Sequence, residues 1–133
     1  MWPMASISAH LTVWTSALTV HDLASTLGPE GRVSFQGDLR TPPRPVPKAN
    51  GWSIQVWDDD STDPSAVLEQ LLQQIAPLKA VIERLRMEAP DLDVWVGVTI
   101  RPPMPILPLH FVAEQMDAVA ALGASFDIDY FDE

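Results

Sequence analysis

Apolar residues recur at short intervals along the chain, and their spacing separates strands from helices. Stretches that alternate apolar and polar residues, or short apolar runs bounded by turn residues, predict strands buried on at least one side. These stretches are Ser6–Trp14, Trp52–Trp57, Leu92–Ile100 and Phe126–Tyr130. The shorter stretch Arg32–Gly37 is a further candidate strand, which we expect to pair with Trp52–Trp57 as a hairpin with a long loop.

Two helices are predicted from an apolar period of three to four residues. Val20–Leu27 follows Thr19, a residue type that caps helix N-termini, and precedes Gly28, a residue type that favours the backbone of a helix end. His110–Leu122 has a similar period and precedes Gly123. Both helices are therefore expected to end at a glycine.

The longest predicted helix is rich in leucine. It begins at Asp63, with Pro64 in the first helical position, and keeps its apolar period to Met87. Pro77 lies inside it and lacks the N–H that would donate to the carbonyl four residues earlier. The helix is therefore expected to kink or break between Gln73 and Pro77.

The order of these elements predicts one α+β domain over residues 1–133. Helices alternate with strands and each helix has one apolar side. We therefore expect a single, mostly antiparallel sheet with helices on one face, a ferredoxin-like α/β sandwich with a final αβ addition. The segments Leu11–Gly28 and Val98–Gly123 both run strand, loop, helix and Leu-Gly. They predict a pseudo-twofold βαβ repeat, with chance similarity as the alternative because Leu-Gly helix ends are common.

Charge and composition narrow the classes of function. The chain has 133 residues with 8 Lys+Arg against 18 Asp+Glu, a formal net charge of -10, so it would repel the phosphates of nucleic acid. The absence of cysteine excludes disulfides, thiolate nucleophiles and Cys-ligated metals. The N-terminus does not look like a signal peptide, and no stretch resembles a membrane span. We expect a cytoplasmic protein, monomer or homodimer, with no cofactor, no nucleic acid and no membrane partner.

Several segments together resemble the domain-of-unknown-function family 4279. They are the opening strand and helix that end at Leu27-Gly28, the segment Gly37-Asp38-Leu39-Arg40, the strand with Trp52 and Trp57, the long leucine helix, and Asp127-Ile128-Asp129-Tyr130. The resemblance covers nearly the whole chain, but the loop before the last helix is longer and richer in proline than the family pattern. It implies a small bacterial α+β protein, hints at toxin–immunity gene neighbourhoods, and carries no established activity or catalytic residues.

The most informative candidate site surrounds Asp38 and Arg40. These residues are two apart in an extended segment, so their side chains lie on the same side. They either pair with each other and fix the proline-rich loop, or bind a polar ligand. With Trp52 and Trp57 on the following strand, they are predicted to form an aromatic and charged recognition surface.

The histidines and the C-terminal acids are further candidates. His21 and His110 occupy equivalent positions at helix starts, so they are either exposed first-turn residues or a symmetric pair that lines a pocket. Asp127, Asp129 and Tyr130 lie on the last predicted strand. The two aspartates form a solvated face, or an acid/base pair if one of them is desolvated.

The acidic residues are concentrated in two segments. Asp58–Asp63 and Asp127–Glu133 each contain four acids, which is eight of the 18. The first segment partly matches a calcium-binding loop, but Asp63 stands where that loop requires glycine, so we interpret it as a solvated acidic turn. If the two segments converge in the fold, they form an acidic patch suited to a basic partner.

Three classes of function remain. We expect a small acidic, non-catalytic protein-binding module, for example an immunity-like protein that neutralises a basic toxin, because charge complementarity speeds association. The alternative is a small-molecule-binding regulatory or sensing domain, with a pocket near Asp38, Arg40, His21 and His110. An enzyme is the third class, although no catalytic residue is assigned and no nucleophile elbow, P-loop or dinucleotide motif is present.

Overall fold

One five-stranded sheet forms the centre of the fold. The computed structural model describes residues 6–37, 48–58, 63–101 and 109–130. Within these ranges the strands are β1 (Ser6–Thr15), β2 (Arg32–Ser34), β3 (Asn50–Asp58), β4 (Asp93–Arg101) and β5 (Ser125–Tyr130). Their order across the sheet is β2-β3-β1-β4-β5. The predicted hairpin between β2 and β3 is confirmed.

The sheet is mixed, which corrects the expectation of a mostly antiparallel one. β1 pairs antiparallel with both β3 and β4, and β2 pairs antiparallel with β3. β4 and β5 are parallel, because the last helix lies between them in the chain and returns it to the end of the sheet where β4 begins.

The helices are α1 (Val20–Leu27), α2 (Pro64–Ile75), α3 (Lys79–Glu88) and α4 (Ala113–Ala121). A 3-10 turn, Ala76–Leu78, joins α2 to α3, so α2, this turn and α3 form one continuous helical segment. The expected break is therefore present: α2 ends at Ile75, between Gln73 and Pro77 as predicted, and Pro77 lies inside the turn. Proline has no backbone N–H to donate, and the tighter 3-10 turn tolerates this missing hydrogen bond.

The helix ends follow local chemistry. At α1 the Thr19 hydroxyl accepts from the N–H of Asp22 at 3.0 Å, and the Asp22 carboxylate accepts from the N–H of Thr19 at 3.3 Å. α2 has Asp63 as its N-cap, as predicted. α4 begins at Ala113, three residues later than expected, because Val112 is still extended, with φ -79° and ψ 159°.

A buried glutamine joins α4 to α2. Gln115 is 3% exposed, and its side-chain oxygen accepts from the Ser65 hydroxyl at 2.9 Å and from the Val112 N–H at 3.1 Å. Its amide nitrogen donates to the carbonyl of Ser65 at 2.8 Å. The first turns of α2 and α4 are therefore held together at one end of the sheet.

All the helical segments contribute to one core on a single face of the sheet. The strand residues in this core alternate along each strand, as the period-two pattern predicts. They include Ile7, Ala9, Leu11 and Val13 of β1 and Val94, Val96, Val98 and Ile100 of β4. In the part of the chain that the structure describes, the longest helix has 12 residues, and no helix has the length and apolar character of a membrane span.

The proposed pseudo-twofold repeat is not confirmed. The unit β1-α1-β2 places its second strand two positions from the first, with β3 between them. The unit β4-α4-β5 places its second strand directly beside the first. The two halves therefore occupy the sheet differently despite their similar sequences.

Candidate functional site on the open sheet face

The face of the sheet opposite the core is not covered by any described helix, and we call it the open face. Residues paired across neighbouring strands point to the same side, so the strand register fixes its composition. The rows are Trp57, Ser8, Thr99 and Asp129; then Gln55, His10, Gly97 and Asp127; then Arg32, Ser53, Thr12, Trp95 and Ser125; and then Ser34, Gly51, Trp14 and Asp93. Polar, aromatic and charged side chains therefore share this face.

His10 lies near the middle of the open face, over a glycine. A Cβ atom added to Gly97 would lie 2.6 Å from His10 Nε2, so the imidazole occupies the space that a side chain there would fill. Burial lowers the pKa of His10 from 6.5, although the carboxylates of Asp129 and Asp127 act in the opposite direction. Burial therefore favours the neutral form of the imidazole, which lies near two exposed aspartates of β5.

Two tryptophans are exposed on the open face. Trp57 is 47% exposed, and the guanidinium carbon of Arg101 lies 5.4 Å from its ring centroid, a cation–π contact. Trp95 is 37% exposed, and its indole N–H donates to Asp93 at 2.7 Å. Each exposed ring is thus held by a charged neighbour, which orients it without removing it from solvent.

Trp52 does not join this surface, which corrects its predicted role beside Trp57. It is fully buried on the core face, and its indole N–H donates to the carbonyl of Gly28 at 2.9 Å. The ring also lies against Gly31, where an added Cβ would overlap the indole. Residues an odd number apart on a strand point to opposite faces, so Trp52 and Trp57 could not share one.

The other half of that predicted site, Asp38 and Arg40, lies outside the described residues. His21 and His110 are both exposed, but they lie at opposite ends of the sheet. The start of α1 is next to β3 residue Asn50, whose amide donates to Leu18 at 2.9 Å, whereas the start of α4 is joined to α2 at the other end. The symmetric pocket lined by both histidines is therefore wrong, because β1 and β4 run in opposite directions.

The two acidic segments reach the same end of the sheet. By register, Asp58 at the end of β3 and Tyr130 at the end of β5 lie in one row, three strand spacings or about 14 Å apart. Asp58 lies on the core side, where the Gln70 amide donates to it at 3.4 Å, whereas Asp127 and Asp129 lie on the open face. Residues 59–62 and 131–133 are outside the described ranges.

A cavity of about 260 Å³ opens beside Trp57, next to the first residue of β2, where β3 extends beyond the shorter strand. Its lining includes Glu30, Arg32, Ser53 and Gln55. Gln55 donates its amide to the Ser8 hydroxyl at 3.1 Å, which fixes one wall. Among the described residues, no group of three His, Cys, Asp or Glu side chains is placed to hold a metal ion.

Sequence reasoning did not single out His10, Trp95 or Arg101 as a set. The period-two pattern places His10 and Trp95 on the polar side of their strands, and this is the signal in the sequence that could have identified them. The proximity of His10 to Asp127 and Asp129 depends on the parallel pairing of β4 with β5, which no local pattern encodes.

Comparison with known proteins identifies one relationship. A family model described as Domain of unknown function (DUF4279) matches residues 5–133, essentially the whole chain. No curated protein and no solved structure matches the chain. The role of the open face must therefore be inferred from its own chemistry.

Proposed function

Since the chain belongs to the DUF4279 family, whose description names no activity, we propose from its own surface that it is a non-catalytic module that binds a basic protein. The observation that carries this proposal is the open face, where exposed Trp57 and Trp95 share one surface with Asp127 and Asp129. Tryptophan anchors are typical of the residues that contribute most to protein interfaces. Carboxylates around such anchors favour a partner of opposite charge.

The net charge of the chain supports the same type of partner. A protein with a formal charge of -10 attracts basic surfaces over distances comparable to the Debye length, about 8 Å at physiological salt. An immunity protein that covers a basic toxin in the cytoplasm is one form of this proposal. A toxin partner would lose its toxicity when co-produced with the wild-type chain.

We also propose that the fold is a ferredoxin-like sandwich with an αβ addition. In the order β2-β3-β1-β4, the parallel strands β1 and β2 are separated by β3, which is the split βαβ arrangement of that topology. β5 then extends the sheet beyond β4. In such a sandwich the helices cover one face, and the other face is free to bind a partner.

The proposal is tested by a double variant of the exposed tryptophans. Proteins captured from the natural host by the wild-type chain are identified and purified, and their affinity is measured by calorimetry. Trp57→Ala/Trp95→Ala is expected to weaken binding at least tenfold. The control is Met87→Ala on α3, where the methionine is 86% exposed, and it should leave the affinity unchanged. Affinity should also fall as salt is raised. Equal binding by the double variant, or an acidic partner, would contradict the proposal.

A second function, small-molecule binding, is supported by the cavity beside Trp57. The cavity has a volume of about 260 Å³, and its lining offers one aromatic ring, one guanidinium group and the carboxylate of Glu30. A polar ligand with a planar ring and a carboxylate would suit that lining. A thermal-shift screen of such compounds should give a stabilisation that Trp57→Ala and Arg32→Ala both abolish. Stabilisation that survives both substitutions would exclude this cavity.

A further inference from the structure

β5 forms one edge of the described sheet. Its backbone pairs with β4 on one side, and on its other side no strand of the described chain is present. An edge strand presents a row of N–H and C=O groups that can pair with another extended chain. With 6 residues, β5 offers about 20 Å of such backbone.

The side chains of β5 alternate in a way that specifies what would pair with it. Asp127 and Asp129 are exposed on the open face, whereas Phe126 and Ile128 are half-buried on the core side. Phe126 makes an edge-to-face contact with Phe111, with centroids 5.2 Å apart, so this side is already packed. A strand added here would have one row of side chains beside the aspartates and the other beside the apolar pair.

A second copy of the chain is a poor candidate for this edge. Antiparallel pairing of two β5 strands around Ile128 would place Asp127 of one copy opposite Asp129 of the other. Cross-strand neighbours are about 4.5–5.5 Å apart, and like charges at that distance are destabilising. Natural proteins use charges on edge strands to prevent such self-association. The same carboxylates would favour a partner strand that carries basic residues.

We propose that β5 accepts a strand from a basic partner, with Lys or Arg at alternate positions facing Asp127 and Asp129 and apolar residues between them. This inference rests on the proposed function and adds how the partner is held. In this binding mode, main-chain hydrogen bonds supply affinity and alternate side chains supply specificity. The partner segment need be no longer than β5 itself.

The test uses short synthetic peptides and the full chain. A peptide that alternates lysine with valine is the probe, and affinity is measured by calorimetry at low salt. Two further peptides carry N-methyl groups on either the odd or the even amides. Because the N–H groups of a strand point alternately to its two sides, one of these peptides should lose at least tenfold in affinity and the other should bind like the parent.

Charge reversal provides the matched control. The variant Asp127→Lys/Asp129→Lys should no longer bind the lysine peptide and should instead bind a peptide that alternates glutamate with valine. Glu83→Lys/Glu88→Lys on exposed positions of α3 makes the same change in net charge and should keep the original preference. A lysine peptide that does not bind the wild-type chain would overturn the inference.

The methylated peptides separate failure of the inference from failure of the proposed function. If both bind like the parent, the peptide binds without adding a strand, so the inference is wrong while binding of a basic partner stands. If the natural partner proves acidic, the proposed function fails on its own test. Protection of β5 amides from hydrogen exchange in the complex is expected only when a strand is added.

Discussion

Replacing Trp52 with phenylalanine should destabilise the fold strongly, although the same change at Trp57 should not. The two residues lie on one strand and differ in exposure, 0% against 47%. Trp52 also donates a hydrogen bond of 2.9 Å to the carbonyl of Gly28 at the end of α1. The substitution keeps an aromatic ring in the core but removes this donor and part of the packed surface.

The expected magnitude follows from these two losses. Leaving the Gly28 carbonyl without its partner costs about 1 kcal/mol. The smaller ring loses transfer free energy and leaves a cavity beside Gly31, which costs about 2 kcal/mol more. The free energy of unfolding should therefore fall by about 3 kcal/mol, a drop in melting temperature of about 10 °C for a chain of this size.

Urea unfolding followed by circular dichroism measures the difference. Trp57→Phe is the matched control, and as a surface change it should alter the free energy of unfolding by no more than about 0.5 kcal/mol. Equal losses in the two variants would show that Trp52 is not the buried member of the pair. A loss below about 1 kcal/mol for Trp52→Phe would also refute the reasoning, because the hydrogen bond alone accounts for that amount.

Three further predictions concern buried or bridging polar groups. His10 should titrate below 6.5 by NMR, since burial lowers its pKa. Because the folded-state pKa is depressed, stability that is present above pH 6.5 is lost as the pH falls through the folded-state pKa, and His10→Gln should remove this loss. Asp91 accepts hydrogen bonds from the Thr15 hydroxyl and the Ser16 backbone N–H, which hold its pKa below 3.8. The stability that these bonds add is lost as the pH falls through the folded-state pKa. Thr15→Val should raise that pKa, and an unchanged titration would contradict the assignment. Gln115→Leu should cost about 2 kcal/mol in urea unfolding, because it removes the hydrogen bonds that join Gln115 to Ser65 and Val112, whereas the exposed Gln74→Leu should cost almost nothing; equal effects would contradict the role of this link.

The positions of the elements were predictable because they depend on local signals. The capping pair at Thr19, the proline after Asp63 and the 3-10 turn at Pro77 each act within one turn of helix. The start of α4 was misplaced because the apolar period extends back to His110, whereas Gln115 marks Val112 as the N-cap by accepting from its N–H at 3.1 Å. Gln115 reaches α2, and that contact joins residues 50 positions apart.

The candidate site was less predictable, and the reason differs between residues. The opposite faces of Trp52 and Trp57 follow from their odd separation, so the sequence contained that answer. The position of His10 against Gly97 does not, because it depends on the register of β1 with β4. The separation of His21 from His110 depends likewise on the antiparallel direction of those two strands.

The sequence by itself determined where helices and strands form, which strand face is apolar, and how acidic the chain is. Those properties depend on side chains within a few residues of one another. Only the tertiary structure decided the strand order, the parallel position of β5 and the open face that brings His10, Trp95 and Asp127 together. Strand pairing joins distant segments, and a shift of one residue in register would exchange the two faces, so that choice is made by the packing of the whole core.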